Sequence, residues 1–355
     1  MKILSLALLA LTLTATVTSG KFLGKNKHGV KMYSIDLDLP AELRFADVAT
    51  DFKDEVKVVL NQYLSQIPWV LQVVLQELAG YFWWIQPEYY TEISGMAPAL
   101  GLDAKLLLMT QYVYEFTAFC TSVIAQDASG KILHSRNLDF AFAGPMRSIT
   151  YEGVFMRDDK VLFKSIMFAG LTGVFTGHRE GFSISLNERK PSWRTDPWDF
   201  IQNLGDIFFG FPQVSHVIRD TLTECSDYAC AFNRLATTRQ IAPSYYAVSG
   251  LTGYEGAIIS RDRYGVAHID MISENNWFLA QANDDHWTGI CTIRCSYVRE
   301  TMTSIGQANI TGAAMVDMLK QWPSNNEHSI YNVLMINSEQ VFDSQLIEND
   351  KPAPI

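Results

Sequence analysis

Near residue 120 the hydrophobic period of the chain changes, and that switch constrains the fold more than any other feature. Before it, Phe52, Val56, Val59, Leu60, Tyr63 and Leu64 recur at the three-to-four-residue spacing of one helical face, over residues 51–64. A second helical run follows Pro68 and carries Val70, Leu71, Val74, Leu75 and Leu78. A third spans 103–117, with Asp103 placed as an early helix anion or cap. After it, Thr121–Ala125 is β-prone, Asp127-Ala128-Ser129-Gly130 has turn composition, and residues 131–140 read as a returning strand. Further strands are expected at 32–39, 153–155, 161–168, 181–186, 245–249, 256–260 and 266–271. Helical patterns lie near 197–209, 213–223, 228–237 and 313–319. A mainly helical N-terminal segment followed by antiparallel-looking strands with helices between them predicts an α+β layered core. Cys120 stands at the junction.

Cysteine usage draws attention to the same residue. The chain has five cysteines, an odd number. Cys225 and Cys230 are close neighbours, as are Cys291 and Cys295, and these four can supply two disulfides whose connectivity stays open. Cys120 is the thiol left over. The chain also opens with Lys2, an apolar run from Ile3 to Ala10 and small residues up to Ser19-Gly20. That is the composition of a secretory signal peptide, and the run is too short to cross a bilayer of about 30 Å. Residues 1–20 are therefore set apart from the fold, and a secretory or endolysosomal route is expected. Hydrophobic residues make up 48% of the chain, ample for a core, and the net charge of −10 comes with dispersed Lys and Arg. No basic patch points to nucleic acid.

The predicted hairpin brings chemistry together. If its turn is centred between Ala128 and Ser129, Cys120 faces Asn137, with Arg136 and Asp139 close by; a one-residue shift would change which of them share its face. A cysteine thiol with pKa of about 8.5 needs a base and a favourable field to act as a nucleophile at acid pH. Cutting the Phe119–Cys120 bond would free an α-amine beside the sulfur, the base arrangement of N-terminal nucleophiles. Arg136 can hold a carboxylate and favour thiolate, while Asp139 can accept from the amine and orient it. From local sequence alone, Cys120 also fits a buried core thiol, and Arg136 with Asp139 also fits a surface ion pair.

The wider pattern resembles the acid ceramidase and N-acylethanolamine acid amidase family. The resemblance rests on Phe119-Cys-Thr-Ser-Val-Ile-Ala-Gln-Asp127, Gly130, His134 and Arg136-Asn-Leu-Asp139. It extends through residues 171–177, Ser185-Leu-Asn-Glu-Arg189, Ile241-Ala-Pro243, residues 256–263 and Asn283-Asp-Asp-His-Trp287, with Tyr33–Pro40 upstream. It implies an N-terminal nucleophile hydrolase fold, an αββα sandwich, and a precursor that cuts itself into a light chain (21–119) and a heavy chain (120–355). It also implies that Cys120 is the nucleophile, that Arg136 and Asp139 contact and orient its amine, and that Asn283 forms the oxyanion hole. Glu188 matches an acidic residue tied to the site and its maturation. Where the family has a double arginine, only Arg294 remains here, preceded by Ile293 and bracketed by Cys291 and Cys295.

The resemblance makes ceramide hydrolysis in the lysosome the first expectation, with an N-acylethanolamine amidase as the alternative and an inactive lipid-binding homologue as a third reading. Its expected partners are a lipid amide substrate, a transient membrane or vesicle surface, and a lipid-presenting activator. No cofactor is implied. The aromatic stretch Gly80–Ile85 with Tyr89 and Tyr90 suits either a lipid-facing surface or a packed core. The seven histidines are scattered without metal-ligand spacing, so no metal site is expected, and His134 and His286 read as hydrogen-bonded structural residues. Asn309-Ile-Thr311 is a glycosylation sequon.

Overall fold

The computed structural model describes residues 20–65, 67–80, 82–111, 118–140, 142–189 and 205–348. Residues 1–19 of the expected signal peptide and the first part of the helix expected at 197–209 lie outside them, as does the last part of the helix expected at 103–117.

The helical half comprises α1 (Ala46–Asp51), α2 (Lys53–Leu64), α3 (Trp69–Ala79), α4 (Phe82–Ile85), α5 (Pro87–Leu100) and α6 (Ala104–Thr110). Asp103 caps α6 as expected, its carboxylate accepting from the backbone of Lys105 and Leu106. Helix α5 was hidden by its Pro87, Gly95 and Pro98. Pro87 sits at the start, where no backbone donor is needed, and Pro98 falls in the last turn before Gly101, which ends the helix at φ +65°. Gly95 is required by contact, since a Cβ there would lie 2.0 Å from the Glu42 carbonyl oxygen.

Fourteen strands are described: β1 (Phe22–Lys25), β2 (Lys31–Asp36), β3 (Ala118–Gln126), β4 (Ile132–Phe140), β5 (Thr150–Arg157), β6 (Lys160–Phe168), β7 (Thr176–Arg179), β8 (Phe182–Glu188), β9 (Ser244–Ser249), β10 (Gly256–Arg261), β11 (Val266–Met271), β12 (Phe278–Gln281), β13 (Ser329–Ile336) and β14 (Val341–Leu346). A nine-stranded sheet runs β1-β2-β5-β6-β7-β8-β9-β10-β11 and a five-stranded sheet β12-β3-β4-β13-β14. All neighbours are antiparallel except β2 and β5. The helical half is thus not purely helical, because β1 and β2 extend the larger sheet.

The sheets stack face to face through β3 and β4 on one side and β8 and β9 on the other. Helices α7 (Ala143–Ser148), α8 (Val214–Glu224), α9 (Tyr228–Thr237), α10 (Ile293–Ile305) and α11 (Gly312–Leu319) follow the hairpin. Helices α8 and α9 cover the nine-stranded sheet, and α10 and α11 cover the five-stranded one, which makes the expected αββα sandwich. The N-terminal helices close one end. There Glu92 of α5, fully buried, meets Arg219 of α8 through two bonds of 2.5 and 2.6 Å, with Arg44 at 2.9 Å. The four remaining cysteines form two local disulfides, Cys225–Cys230 and Cys291–Cys295, and Cys120 takes part in neither.

Candidate active site

The β3–β4 hairpin differs from its expected register by one residue. Gln126 pairs with Ile132, so the turn is centred on Ser129 rather than before it. The loop 127–131 is closed by the Asp127 carboxylate, which accepts from the backbone of Ser129 and Lys131, while Gly130 takes φ +87°. Cys120 therefore faces Leu138 and Ser122 faces Arg136, whereas Phe119 is opposite Asp139. In consequence Cys120 and Arg136 share the face between the sheets, and Asp139 points to the other.

That alternation divides the site into two cation-centred halves. Between the sheets, Arg136 is fully buried and donates from Nη2 to the Cys120 sulfur at 2.7 Å and to the Leu186 carbonyl at 2.7 Å. Its Nη1 donates to Thr176 Oγ1, the Phe175 carbonyl and the Tyr331 hydroxyl, at 2.6, 3.1 and 3.1 Å. A fixed guanidinium against a thiol in a dry interior favours the thiolate.

On the opposite face stands Arg294, at the start of α10. Its Nη1 donates to the Cys120 carbonyl at 3.0 Å, to Thr121 Oγ1 at 3.3 Å and to Asp139 Oδ2 at 3.2 Å. Its Nη2 donates to Asn283 Oδ1 at 2.8 Å. Asp139 also accepts from Ser329 Oγ at 2.6 Å and Asn326 Nδ2 at 3.4 Å. Burial pushes its carboxyl above the usual range, and Arg294 acts against that rise.

Two expectations change as a result. The carboxylate Asp139 is held by Arg294, not Arg136, and it reaches Cys120 through that guanidinium. The Cys120 backbone N–H donates instead to Asn283 Oδ1 at 2.9 Å. Asn283, which the resemblance places in the oxyanion hole, donates from Nδ2 to the Glu188 carbonyl at 2.6 Å, which fixes the side chain while its oxygen meets Cys120. Glu188 itself is buried at the end of β8.

The loop that carries Asn283 is braced from outside. Arg189 donates from Nε and Nη2 to the two oxygens of Asp285, both at 2.8 Å, and Tyr245 adds its hydroxyl at 2.6 Å. Tyr331, Ser329 and Asn326 were not singled out in the sequence, and Thr176 entered only as part of segment 171–177, without a role. They meet Arg136 and Asp139 from far along the chain, and no local spacing marks them.

Comparison with known proteins follows the same lines. The N-acylethanolamine-hydrolyzing acid amidase of Rattus norvegicus is 30% identical over 316 residues, spanning 87% of this chain and 86% of that protein. The chain belongs to the acid ceramidase and N-acylethanolamine acid amidase family. The acid ceramidase of Homo sapiens is 28% identical over 355 residues, spanning 92% of this chain and 88% of the other. The family model for the beta subunit of N-acylethanolamine-hydrolyzing acid amidase matches residues 29–82, which lie wholly before Cys120. A solved structure of the Caenorhabditis elegans N-acylethanolamine-hydrolyzing acid amidase ortholog has 30% identity and a TM-score of 0.57, covering 62% of this chain and 93% of that one. The sandwich is accordingly that of an N-terminal nucleophile hydrolase, and the chain is an amidase of this family.

Proposed function

We propose that Cys120 is the nucleophile of a fatty-acid amide hydrolase whose site is completed by cutting the Phe119–Cys120 bond. The observation that carries this reading is the placement of two guanidinium groups around one residue. Arg136 meets the sulfur, and Arg294 meets the carbonyl and the Asn283 oxygen that holds the nitrogen. In the uncut chain the sulfur attacks the Phe119 carbonyl, the Cys120 nitrogen leaves with a proton, and water hydrolyses the resulting thioester. The same nitrogen, now an α-amine with an ordinary pKa of about 7.7–8.0, takes the thiol proton in turnover and passes it to the leaving amine. A cation beside an amine lowers its pKa, so Arg294 helps to keep that base neutral at acid pH. Asn283 places one N–H on the Glu188 carbonyl and retains a second for the oxyanion.

A small apolar cavity of about 40 Å³ beside the hairpin, which would have to widen to take a full acyl chain, favours an acyl group on the carbonyl side. Val56, Leu60 and Tyr63 of α2, Leu107 of α6, Met146 of α7 and Leu171 line it. Phe140 lines it too, and pairs across the hairpin with Ala118, two residues from Cys120. Exposed Trp69, Val70, Val73, Trp83 and Trp84 on α3 and α4 favour a transient lipid surface as the source of substrate. N-acylethanolamines come first as substrates, supported by the amidase relatives and the matched beta-subunit model; this reverses the order drawn from the sequence. Ceramide is the second reading, supported by the acid ceramidase relatives. Lysosomal delivery and glycosylation at Asn309, which is exposed, belong to the same proposal.

Side-by-side turnover of an N-acylethanolamine and a ceramide with the same acyl chain tests the choice. Faster kcat/KM for the acylethanolamine is expected, and a ceramide preference would invert the reading. Each buried methylene contributes about 0.8 kcal/mol, so shortening the acyl chain by two carbons should cost roughly tenfold in kcat/KM.

A further inference from the structure

Outside the catalytic cluster, His268, Asp270 and His286 bring three metal-competent side chains together among the described residues, their ligand atoms all within 4.8 Å of one another. His268 and Asp270 are two apart on β11, the edge strand of the nine-stranded sheet, so they share a face. His286 opens the short turn His286–Thr288 that follows Asn283. Both imidazoles present Nε2 to the one carboxylate, His268 at 3.2 Å from Oδ1 and His286 at 2.9 Å from Oδ2. Each carboxylate oxygen therefore meets one imidazole nitrogen.

The surroundings hold the rings in place. Trp287 stacks on His268 at 4.6 Å and meets His286 edge-on at 5.5 Å. Arg189, the cation nearest to Trp287, is paired with Asp285 and Asp262, so its charge is compensated.

We propose that His268, Asp270 and His286 form a binding site for a divalent transition-metal ion, with Zn²⁺ the best fit. Tetrahedral zinc with bonds of about 2.0–2.1 Å sets neighbouring ligand atoms about 3.3–3.5 Å apart, so small side-chain rotations suffice. Two imidazoles and a carboxylate suit zinc rather than the all-oxygen shells of Mg²⁺ and Ca²⁺. All three residues are partly exposed, which leaves water for the fourth position. The ion binds the turn after Asn283 to β11 and so stiffens the loop of the candidate active site; it takes no part in bond cleavage.

The test uses the full-length chain carrying Cys120→Ala, which removes the free thiol as a competing ligand. Zn²⁺ titrated by calorimetry at about pH 7 should bind with one equivalent and raise the melting temperature. Co²⁺ should give a visible ligand-field absorption from the same site. His286→Ala and His268→Gln should each weaken binding at least tenfold, while His28→Ala, whose ring pairs with Asp343, should leave it unchanged. The proposal is overturned if no stoichiometric binding appears, or if both site variants bind Zn²⁺ as the parent does. Melting of each variant in EDTA, expected to match the parent, separates loss of the site from loss of the fold.

Discussion

Arg294 is the residue on which the two faces of the hairpin depend, and a double-mutant cycle with Asp139 measures that dependence. Arg294→Met removes the 3.2 Å ion pair and leaves a carboxylate that is 1% exposed. Removing one partner of a buried pair costs about 3–5 kcal/mol. The Ser329 hydroxyl at 2.6 Å stays in place and softens that cost, so we expect about 2–4 kcal/mol. Asp139→Asn leaves Arg294 with Cys120, Thr121 and Asn283 and should cost about 1–2 kcal/mol. Because the two share one bond and one buried charge, the double variant should fall short of the sum by about 1.5–3 kcal/mol.

Urea unfolding in a Cys120→Ala background, with the slope checked for constancy, reads all four corners. A sign follows from the raised Asp139 pKa. Stability linked to such a group is present below its unfolded pKa and lost as pH rises through the folded one, so the Arg294→Met deficit should be larger at neutral than at acid pH. Additivity within about 0.5 kcal/mol would refute the coupling of Arg294 to Asp139.

Two further perturbations address the frame around the site. His134 is buried between the sheets among Ser183, Ser185 and Ser249, and burial together with Arg136 holds its pKa down at about 3 against an ordinary 6.5. Its depressed pKa gives stability that is present above pH 6.5 and lost on acidification, about 2–3 kcal/mol by pH 4.5. His134→Gln should therefore lose about 2–3 kcal/mol less than the parent between pH 7.5 and 4.5, and equal losses by denaturant unfolding would contradict this. Glu92→Gln leaves Arg219 buried without its carboxylate, while Arg44 keeps Glu88, and should destabilise the chain by about 3–5 kcal/mol, with the helical segment released first in limited proteolysis. A change below about 1 kcal/mol would show that the pair contributes little to joining α5 to α8.

Much of the frame was legible because its signals are local. The period switch near residue 120, the Asp127–Gly130 turn and the capping Asp103 each act within a few residues, and each is found as expected except that the turn's centre moves onto Ser129. What was hidden depends on distant contacts. Helix α5 reads as broken until Gly95 is seen against Glu42. Strand β13 is interior and buried on both faces, so apolar residues fill both faces around Asn332 instead of alternating with polar ones. In the site, spacing brought Cys120, Arg136 and Asp139 to one hairpin end but could not fix the register, and one residue decided which arginine meets the sulfur and which the carboxylate. The resemblance brought in Arg294 and Asn283. Their geometry then gave the single arginine contacts with Cys120, Thr121, Asp139 and Asn283.

The central claim is that Cys120 becomes an N-terminal nucleophile, and mass spectrometry of the acid-incubated chain tests it most directly. The full-length protein should yield a heavy fragment whose first residue is Cys120, in step with the appearance of amidase activity. Cys120→Ala should stay uncut and inactive on both N-acylethanolamine and ceramide. A Cys120→Ala chain that still hydrolyses lipid amides at the parental rate, or an active parent whose Phe119–Cys120 bond stays intact, would contradict the account.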